Sequence, residues 1–252
     1  MDWWIYPLIG ALGGFTAGLL GIGGGVIYTP ILMLVLQNPI QAIATSLASI
    51  TVPTALSSWM HFKEQKVDLR VYRKLFPGIL IGSFLGAYLA REAPQEFLRA
   101  FFGAFSLLIS FFFIIGVKKL DVEPQNMQKS ATLFLFGLFV STLASFLGIG
   151  GGIIASIAYF LMGYSIKSVL GVTSVLSLSI TSIAVLPLLN DVNWIAFLLI
   201  FPFGTAFAWI GFKLSKKIHV NYLEKILGVF LFITGLVLLE PILHKYFLDL
   251  MS

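Results

Sequence analysis

The chain has 252 residues, of which 58 % are hydrophobic and only 11 % charged, and its mean hydropathy is +0.98. These values exclude a soluble domain, because so few charged side chains cannot cover a surface that faces water. A membrane-spanning helix needs about 20 apolar residues, so the length allows about eight to ten such segments and no large catalytic domain outside the membrane. The composition therefore predicts a polytopic integral membrane protein.

Charge and cysteine content narrow the classes of partner. The net charge of +5 is not taken as a sign of nucleic acid binding, because Lys and Arg of a membrane protein gather in its cytoplasmic loops. The chain contains no cysteine, which excludes disulfides, thiolate metal sites and cysteine nucleophiles. His61, His219 and His244 are predicted at the membrane interfaces without the spacing of metal ligands. We expect no cofactor, no metal site and no catalytic residue.

Five apolar segments of the first half are predicted to be helical: Trp3–Leu20, Val26–Leu36, Ile40–Met60, Leu75–Ala90 and Phe97–Val117. The second segment is short, reaching about 16 Å at 1.5 Å per residue, which is about half of the hydrocarbon core. The glycine cluster before it, Gly21 to Gly25, is therefore expected to turn the chain inside the membrane. Gln37-Asn38-Pro39 supplies the next turn.

The second half of the chain repeats the first. The matches are Gly21-Ile22-Gly23-Gly24-Gly25 with Gly148-Ile149-Gly150-Gly151-Gly152, Thr45-Ser46 with Thr173-Ser174, Pro77 with Pro202 and Gly86 with Gly211. A second short helix is predicted at Ile153–Met162, followed by the turn Gly163-Tyr164-Ser165. The duplication predicts two transmembrane repeats, residues 1–117 and 131–252, joined by a cytoplasmic linker at 118–130.

The positions of the cations indicate that the two repeats are inverted. If each glycine segment forms a hairpin that returns to its own side, only Arg91, Arg99 and Lys245 of the 16 Lys and Arg residues lie outside. If each segment crosses as a plain span, the repeats are parallel and the cations divide almost evenly. The inverted arrangement is favoured, with a parallel eight-span topology as the alternative. The protein is predicted to lie in the cell (inner) membrane, and the inverted arrangement places both termini on the outer side.

The predicted fold is an all-α integral membrane protein of 8–10 helices, in which each inverted repeat combines a glycine-broken helical hairpin with three transmembrane helices. Such repeats are typical of secondary transporters, whose ligand lies near the midplane at the repeat interface. A helix start has free N–H groups and about half a positive charge. Two such starts meeting at the midplane would bind an anion without a basic side chain.

Hydroxyl residues at steps of four follow each glycine cluster, and this spacing keeps them on one helix face. The predicted substrate-binding residues are Gly21, Gly23, Gly24, Gly25, Thr45, Ser46 and Ser49 in the first repeat and Gly148, Gly150, Gly151, Gly152, Thr173, Ser174 and Ser177 in the second. Thr54, Ser57 and Thr181 are assigned to helix packing, because small polar residues also serve close contacts between membrane helices.

The motifs resemble those of the TauE/SafE family, the sulfite exporter or TSUP transporters. They are Gly-Leu-Leu-Gly-Ile-Gly-Gly-Gly-Val-Ile at 18–27 with Pro30, Ala44-Thr45-Ser46-Leu47, and Leu147 to Gly152 with Thr173-Ser174. The resemblance covers nearly the whole chain, although Ile157 stands where the first repeat has Pro30. It implies movement of sulfite, organosulfonates or related sulfur compounds across the cytoplasmic membrane of prokaryotes.

The resulting hypothesis is a secondary transporter of a small sulfur-containing oxyanion, with the lipid bilayer and the anion as partners. Protons are a further expected partner for coupling, although the predicted spans show no ionisable carrier. The alternatives are a passive anion channel that uses the same donors and a transporter of another small anion such as a carboxylate. A membrane enzyme or assembly factor is disfavoured, because the sequence has neither cysteine nor paired acids.

Overall fold

A computed structural model describes residues 3–20, 23–63, 69–115, 130–161, 166–215 and 220–251. These residues form α-helices and one 3₁₀ helix, and they include no strand. The α-helices are α1 Ile5–Leu20, α2 Gly25–Leu36, α3 Pro39–Lys63, α4 Leu69–Glu92, α5 Gln95–Ile115, α6 Ser130–Leu147, α7 Gly152–Leu161, α8 Ile166–Ala184, α9 Trp194–Ser215 and α10 Val220–Met251, and the 3₁₀ helix is Leu186–Asp191. The predicted all-α class and helix number are confirmed.

The five helices predicted in the first half are all present, and two of their boundaries are displaced by three residues or more. Helix α4 begins at Leu69 instead of Leu75, and α3 continues to Lys63 instead of ending at Met60. Both extensions carry exposed cations, Arg70 and Lys74 in α4 and Lys63 in α3. A search for apolar runs stops at the first charge, whereas a helix can continue beyond the apolar layer with its charged side chains exposed.

The two helices that follow the glycine clusters are short, as predicted. Helix α2 has 12 residues and α7 has 10, which correspond to about 18 and 15 Å. Gln37 ends α2 in the left-handed conformation, and Asn38 begins α3 by accepting a hydrogen bond from the backbone N–H of Gln41 at its side-chain oxygen. The predicted turn at Gln37-Asn38-Pro39 is thus confirmed, while Gly163-Tyr164-Ser165 and most of the 118–130 linker lie outside the described residues.

The described surface is that of a membrane protein. Four helices are long and apolar enough to cross a membrane: Pro39–Lys63, Gln95–Ile115, Ser130–Leu147 and Trp194–Leu214. Shorter apolar helices accompany them at Ile5–Leu19, Gly25–Leu36 and Gly171–Ala184. Large apolar side chains such as Leu108, Phe111 and Phe139 are about two-thirds exposed. So much exposed apolar surface is unfavourable in water and suits contact with lipid.

Helices from the two halves pack closely against each other. Glycines at steps of four lie on α1 at Gly10, Gly14 and Gly18, where they face α9, and on α4 at Gly78, Gly82 and Gly86, where they face α6. A methyl group on Gly14 would lie 2.6 Å from the Cα of Gly204, so the α1 and α9 backbones are in contact. Glycine rows of this kind allow close approach of membrane helices.

Equivalent helices of the two halves make equivalent packing contacts. In the repeat alignment α1 corresponds to α6 and α4 to α9, so the α1–α9 and α4–α6 contacts are equivalent. Helices α3 and α8 are a further equivalent pair, and they pack against each other in the centre of the bundle. This pairing agrees with an internal two-fold relation. The inverted orientation, the position of the termini and the division at residues 117 and 131 stay predictions.

Candidate functional site

The two glycine segments meet inside the bundle. A methyl group on Gly25 would lie 2.6 Å from the Cα of Ile149, which places the start of α2 directly against the second segment. Gly23 has a φ of 81° and Gly150 a φ of 76°. Residues with a Cβ atom rarely adopt this left-handed backbone conformation, whereas glycine adopts it readily. The glycines therefore allow the turn before each short helix. Gly21 and Ile22 lie outside the described residues.

Ser177 of α8 lies between these two turns. A methyl group on Gly23 would be 3.3 Å from the Ser177 Oγ, and one on Gly150 would be 3.1 Å from the same atom. Ser177 is 1 % exposed, and its hydroxyl has no hydrogen-bond partner among the described residues. A buried hydroxyl without a partner costs about 1–3 kcal/mol. Other buried serines of the described residues share this condition, and Ser177 is distinguished from them by its position next to both Gly23 and Gly150. A ligand held between the turns would supply the missing partner.

A small cavity lies beside Ser177. It is lined by one predicted glycine, two predicted serines and residues of α1, α3 and α9, namely Ala17, Gly18, Gly23, Pro53, Thr54, Ser57, Ser174, Ser177 and Ala208. Its volume of about 10 Å³ is close to what one water molecule needs. An oxyanion with several heavy atoms requires more space. The described arrangement is therefore a closed one that must open for a ligand of that size.

Positive potential at this place comes from the helix starts. The Gly24 carbonyl accepts hydrogen bonds from the N–H groups of Ile27 and Tyr28, and the Gly151 carbonyl accepts one from Ala155. The amides that precede these donors in the first turn of each helix have no acceptor within the helix. Two helix starts thus bring about half a positive charge each to the interior. The cavity lining itself contains no ionisable side chain.

Thr29 and Ser46 hold the second glycine turn in place. The Thr29 Oγ1 lies 2.7 Å and the Ser46 Oγ 2.8 Å from the Gly148 carbonyl oxygen, and the two hydroxyls are 2.8 Å apart. A carbonyl oxygen has two lone pairs and can accept both hydrogens. Ser46, predicted to bind substrate, is thus engaged with the backbone in this conformation, and Thr29 is a residue that the sequence argument did not identify.

Thr45 is also engaged away from the cavity. Its Oγ1 accepts a hydrogen bond of 2.9 Å from the backbone N–H of Asn193, while the Asn193 side chain accepts one from Ala196 at the start of α9. Thr45 therefore ties α3 to the segment that begins α9. This contact joins the two halves of the chain.

The remaining predicted residues surround the meeting point at different distances from the cavity. Gly24 packs on Gly13 and Tyr28, and Gly151 faces the Ile180 side chain. Gly152 begins α7. Ser49 and Thr173 are fully buried, and the Ser49 hydroxyl, like that of Ser177, finds no partner in the described part of the chain. The structure thus brings Gly23, Ser174 and Ser177 to the cavity, while the other predicted residues that it describes do not line it.

Two residues assigned to packing line the cavity. Thr54 and Ser57 face it from α3, although the Thr54 hydroxyl also donates to the Ile50 carbonyl at 2.8 Å, as packing residues in membrane helices often do. Ala17 and Gly18 of α1 and Ala208 of α9 complete the lining. Small apolar residues of this kind carry no chemical signal in a sequence, and only the packing of the helices identifies them.

His61 is buried within the protein, which the sequence did not predict, and its predicted depth at the membrane interface stays a prediction. Its side chain is 4 % exposed and packs edge-on against Phe212 of α9, with ring centroids 5.2 Å apart. Because α3 continues to Lys63, its last turn remains between α8 and α9 and carries His61 into the protein interior. The His61 Nδ1 lies 3.3 Å from the Ser174 Oγ, so the histidine touches the cavity lining. The four-residue step from Ser57 was the sequence signal for this position.

The described residues contain no group of three or more His, Asp or Glu side chains that could hold a metal ion. His244 is exposed, and the side chain of His219 lies outside the described part. The features of the site are therefore backbone amides, hydroxyls and one buried imidazole.

Comparison with known proteins identifies the family of this chain. The family model described as sulfite exporter TauE/SafE matches residues 6–238. A probable membrane transporter protein of Haemophilus influenzae is 29 % identical over 65 % of this chain and 65 % of its own length. Two Bacillus subtilis proteins are also named probable membrane transporter proteins. YunE is 26 % identical over 93 % of this chain and 96 % of its own length. YtnM is 27 % identical over 92 % of this chain and 80 % of its own length.

No solved structure matches this chain. The family match covers most of the sequence and includes both glycine segments and both hydroxyl stripes. The relatives named above are membrane transporters by name, without a stated substrate. The chain is a multi-pass membrane transporter protein that belongs to the TauE/SafE family.

Proposed function

We propose that this protein is a secondary transporter of a small sulfur-containing oxyanion, such as sulfite or a small sulfonate, in the cell membrane. The anion binds between the two glycine turns, where it accepts hydrogen bonds from backbone amides and from the Ser177 hydroxyl. The observation that carries the proposal is the Ser177 hydroxyl, buried and without a described partner, next to both Gly23 and Gly150. The family name supports the sulfur class of the substrate.

Transport requires the closed cavity to open on each side in turn. The wall of the cavity at Gly18 and Ala208 belongs to the tightly packed α1–α9 pair, and the wall at Ser57 and Ser174 belongs to α3 and α8. We expect the α1–α9 pair to move as one body, because the glycine row leaves no slack between these helices. Movement of this pair against α3 and α8 would widen the cavity to admit the anion.

The test is uptake of radiolabelled anions into proteoliposomes that contain the purified protein. The panel is sulfite, sulfate, thiosulfate and methanesulfonate, each over a range of concentrations. Saturable uptake of at least one of them is expected. If none is taken up, the assignment of the substrate class is refuted.

Gly150→Ala tests the position of the site in the same assay. Its methyl group would lie 3.1 Å from the Ser177 Oγ, and its φ of 76° disfavours a side chain, so we expect uptake to fall strongly. The matched control is Gly137→Ala in α6, whose methyl group would lie 2.7 Å from the Leu75 carbonyl oxygen, away from the cavity. The control is expected to lower stability and to keep uptake per folded molecule. Equal uptake by Gly150→Ala and the wild type would refute the site.

A passive anion channel would use the same donors. A planar bilayer measurement separates the two mechanisms, because a channel gives steady single-channel conductance, whereas a transporter gives saturable flux and exchange. The cavity beside Ser177 has room for about one water molecule, which is consistent with the closed centre of a transporter. Steady conductance by the purified protein would overturn the assignment.

A further inference from the structure

A second small cavity lies between the two helix starts and the α5–α10 pair. It is bordered by Val26 in the first turn of α2, by Ile149, by Ile153 in the first turn of α7, and otherwise by residues of α5 and α10. It shares no lining residue with the cavity beside Ser177. Its volume of about 10 Å³ is again close to what one water molecule needs. The glycine segments thus meet between two separate cavities.

The lining of the second cavity includes residues that are equivalent in the two repeats. The first-turn residues of α2 and α7 each directly follow the last glycine of their cluster. The alignment that matches Pro77 with Pro202 also pairs Ser106 of α5 with Leu231 of α10, and both of these residues line the cavity. The cavity therefore lies on the internal two-fold relation that the helix pairing indicates. Ser106 is the member of its pair that carries a polar group.

The Ser106 hydroxyl is buried without a hydrogen bond. The side chain is 1 % exposed, and its Oγ has no partner among the described residues. A serine within a helix commonly donates to the carbonyl one turn earlier, and this bond is not formed here. Other buried serines share this condition, and Ser106 differs from them in lining a cavity that both short helices border. Its hydrogen is thus available to a ligand in that cavity.

The described polar groups around this cavity are mainly donors. The first amides of α2 and α7 have no acceptor within their helices. The Leu231 carbonyl already accepts a hydrogen bond of 3.3 Å from the Thr234 Oγ1. The Ile149 carbonyl oxygen would lie 3.6 Å from a methyl group on Gly23, which lines the first cavity. A water molecule would need acceptors for both of its hydrogens, whereas an anion only accepts, so the donors match an anion better.

Charge and volume restrict the kind of anion. The two helix starts bring about half a positive charge each, which together match one negative charge. The described lining contains no acidic side chain that would repel it. An oxyanion with several heavy atoms does not fit a space for about one water molecule, whereas a chloride ion is only slightly larger than water. The cavity therefore suits a single monatomic anion.

We propose that this cavity is a binding site for one halide ion, which is chloride under physiological conditions. The ion accepts hydrogen bonds from the first-turn amides of α2 and α7 and from the Ser106 hydroxyl. Two helix starts that meet inside the protein repel each other, because both ends carry partial positive charge in a medium of low dielectric constant. The halide offsets this repulsion and stabilises the packing of the two short helices.

Equilibrium binding of radioactive chloride to the purified protein in nanodiscs tests the site, with gluconate as the other anion of the buffer. We expect saturable binding of one ion per chain that is displaced by bromide and not by gluconate. The Tm of the same sample should rise with chloride at constant ionic strength, because a ligand of the folded state stabilises it. If the wild type shows no saturable chloride binding, the site is refuted whether or not any variant folds.

Ser106→Ala removes the hydroxyl donor, so we expect the affinity for chloride to fall by about 10- to 150-fold, as for other hydrogen bonds to a charged acceptor. The matched control is Ser110→Ala, one turn later in α5. Ser110 is also fully buried without a described partner, but it does not line the cavity. The control should bind chloride as the wild type does. A change of less than about twofold in Ser106→Ala, or an equal loss in Ser110→Ala, would overturn the assignment.

Ser177→Ala distinguishes the two cavities. It should leave chloride binding at the level of the wild type, because Ser177 lines the other cavity. Loss of chloride binding in Ser177→Ala without a loss in Ser106→Ala would place the ion in the first cavity and refute the proposal. The measurement contains no oxyanion, so its outcome is independent of the uptake experiment that tests the proposed transport.

Discussion

Replacement of Ser177 by alanine should change transport and stability in opposite directions. In the closed structure the Ser177 hydroxyl is buried without a described partner, so the folded protein bears a cost of about 1–3 kcal/mol for it. Ser177→Ala removes that cost, because a methyl group needs no hydrogen bond. We expect the protein to become more stable, with a rise in Tm of about 2–4 °C for each kcal/mol in a chain of this size.

The same change should weaken anion binding. A hydrogen bond from a hydroxyl to a charged group contributes about 1.5–3 kcal/mol. At 1.4 kcal/mol for each factor of ten, the apparent affinity of Ser177→Ala for the transported anion should fall by about 10- to 150-fold. The assay measures initial uptake in proteoliposomes against anion concentration, and thermal unfolding in detergent gives the stability of the same preparation.

Ser83→Ala is the matched control for this prediction. Ser83 lies in α4, is fully buried and likewise has no described partner, but it does not line the cavity. It should show the gain in stability without the loss of affinity. The reasoning is refuted if Ser177→Ala leaves the affinity within twofold of the wild type, or if it destabilises the protein while Ser83→Ala does not.

Two further predictions concern the framework of the site. Thr29→Val and Ser46→Ala each remove one hydrogen bond to the Gly148 carbonyl and should cost about 1 kcal/mol singly, with a larger loss when combined because the buried carbonyl then has neither donor. Thermal unfolding of the four proteins in a double-mutant cycle measures this, and strict additivity would contradict the shared carbonyl. Gly14→Ala should separate α1 from α9 and destabilise the protein by about 1–3 kcal/mol, since the added methyl group would lie 2.6 Å from the Gly204 Cα. A stabilised Gly14→Ala variant in the same assay would show that these backbones are not in close contact.

The local features of the fold followed from the sequence because they depend on neighbouring residues. Apolar runs predicted the helices, and the contiguous glycines predicted the breaks before α2 and α7, where Gly23 and Gly150 adopt left-handed backbone. Gln37-Asn38-Pro39 predicted the turn before α3. The match between the halves predicted that equivalent helices exist, and the motifs predicted the family, which the match to residues 6–238 confirms.

The roles of the hydroxyls could not be derived in the same way. A step of four residues places Thr45 and Ser49 on one face of α3, and it places Thr173 and Ser177 on one face of α8. Periodicity does not say what each face meets, because the rotation of a helix is set by the helices packed around it. In the structure Ser177 reaches the cavity, while Thr45 accepts a hydrogen bond from Asn193 on a distant part of the chain.

The sequence by itself determined that this is an all-α membrane protein with two glycine-broken short helices, because composition, apolar run length and contiguous glycines act locally, and its motifs resemble those of the TauE/SafE family. The tertiary structure decided that the two glycine turns meet beside Ser177 and that His61 is buried against Ser174. These contacts join residues more than a hundred positions apart, and they form only because the glycine rows let helices from both halves pack backbone against backbone.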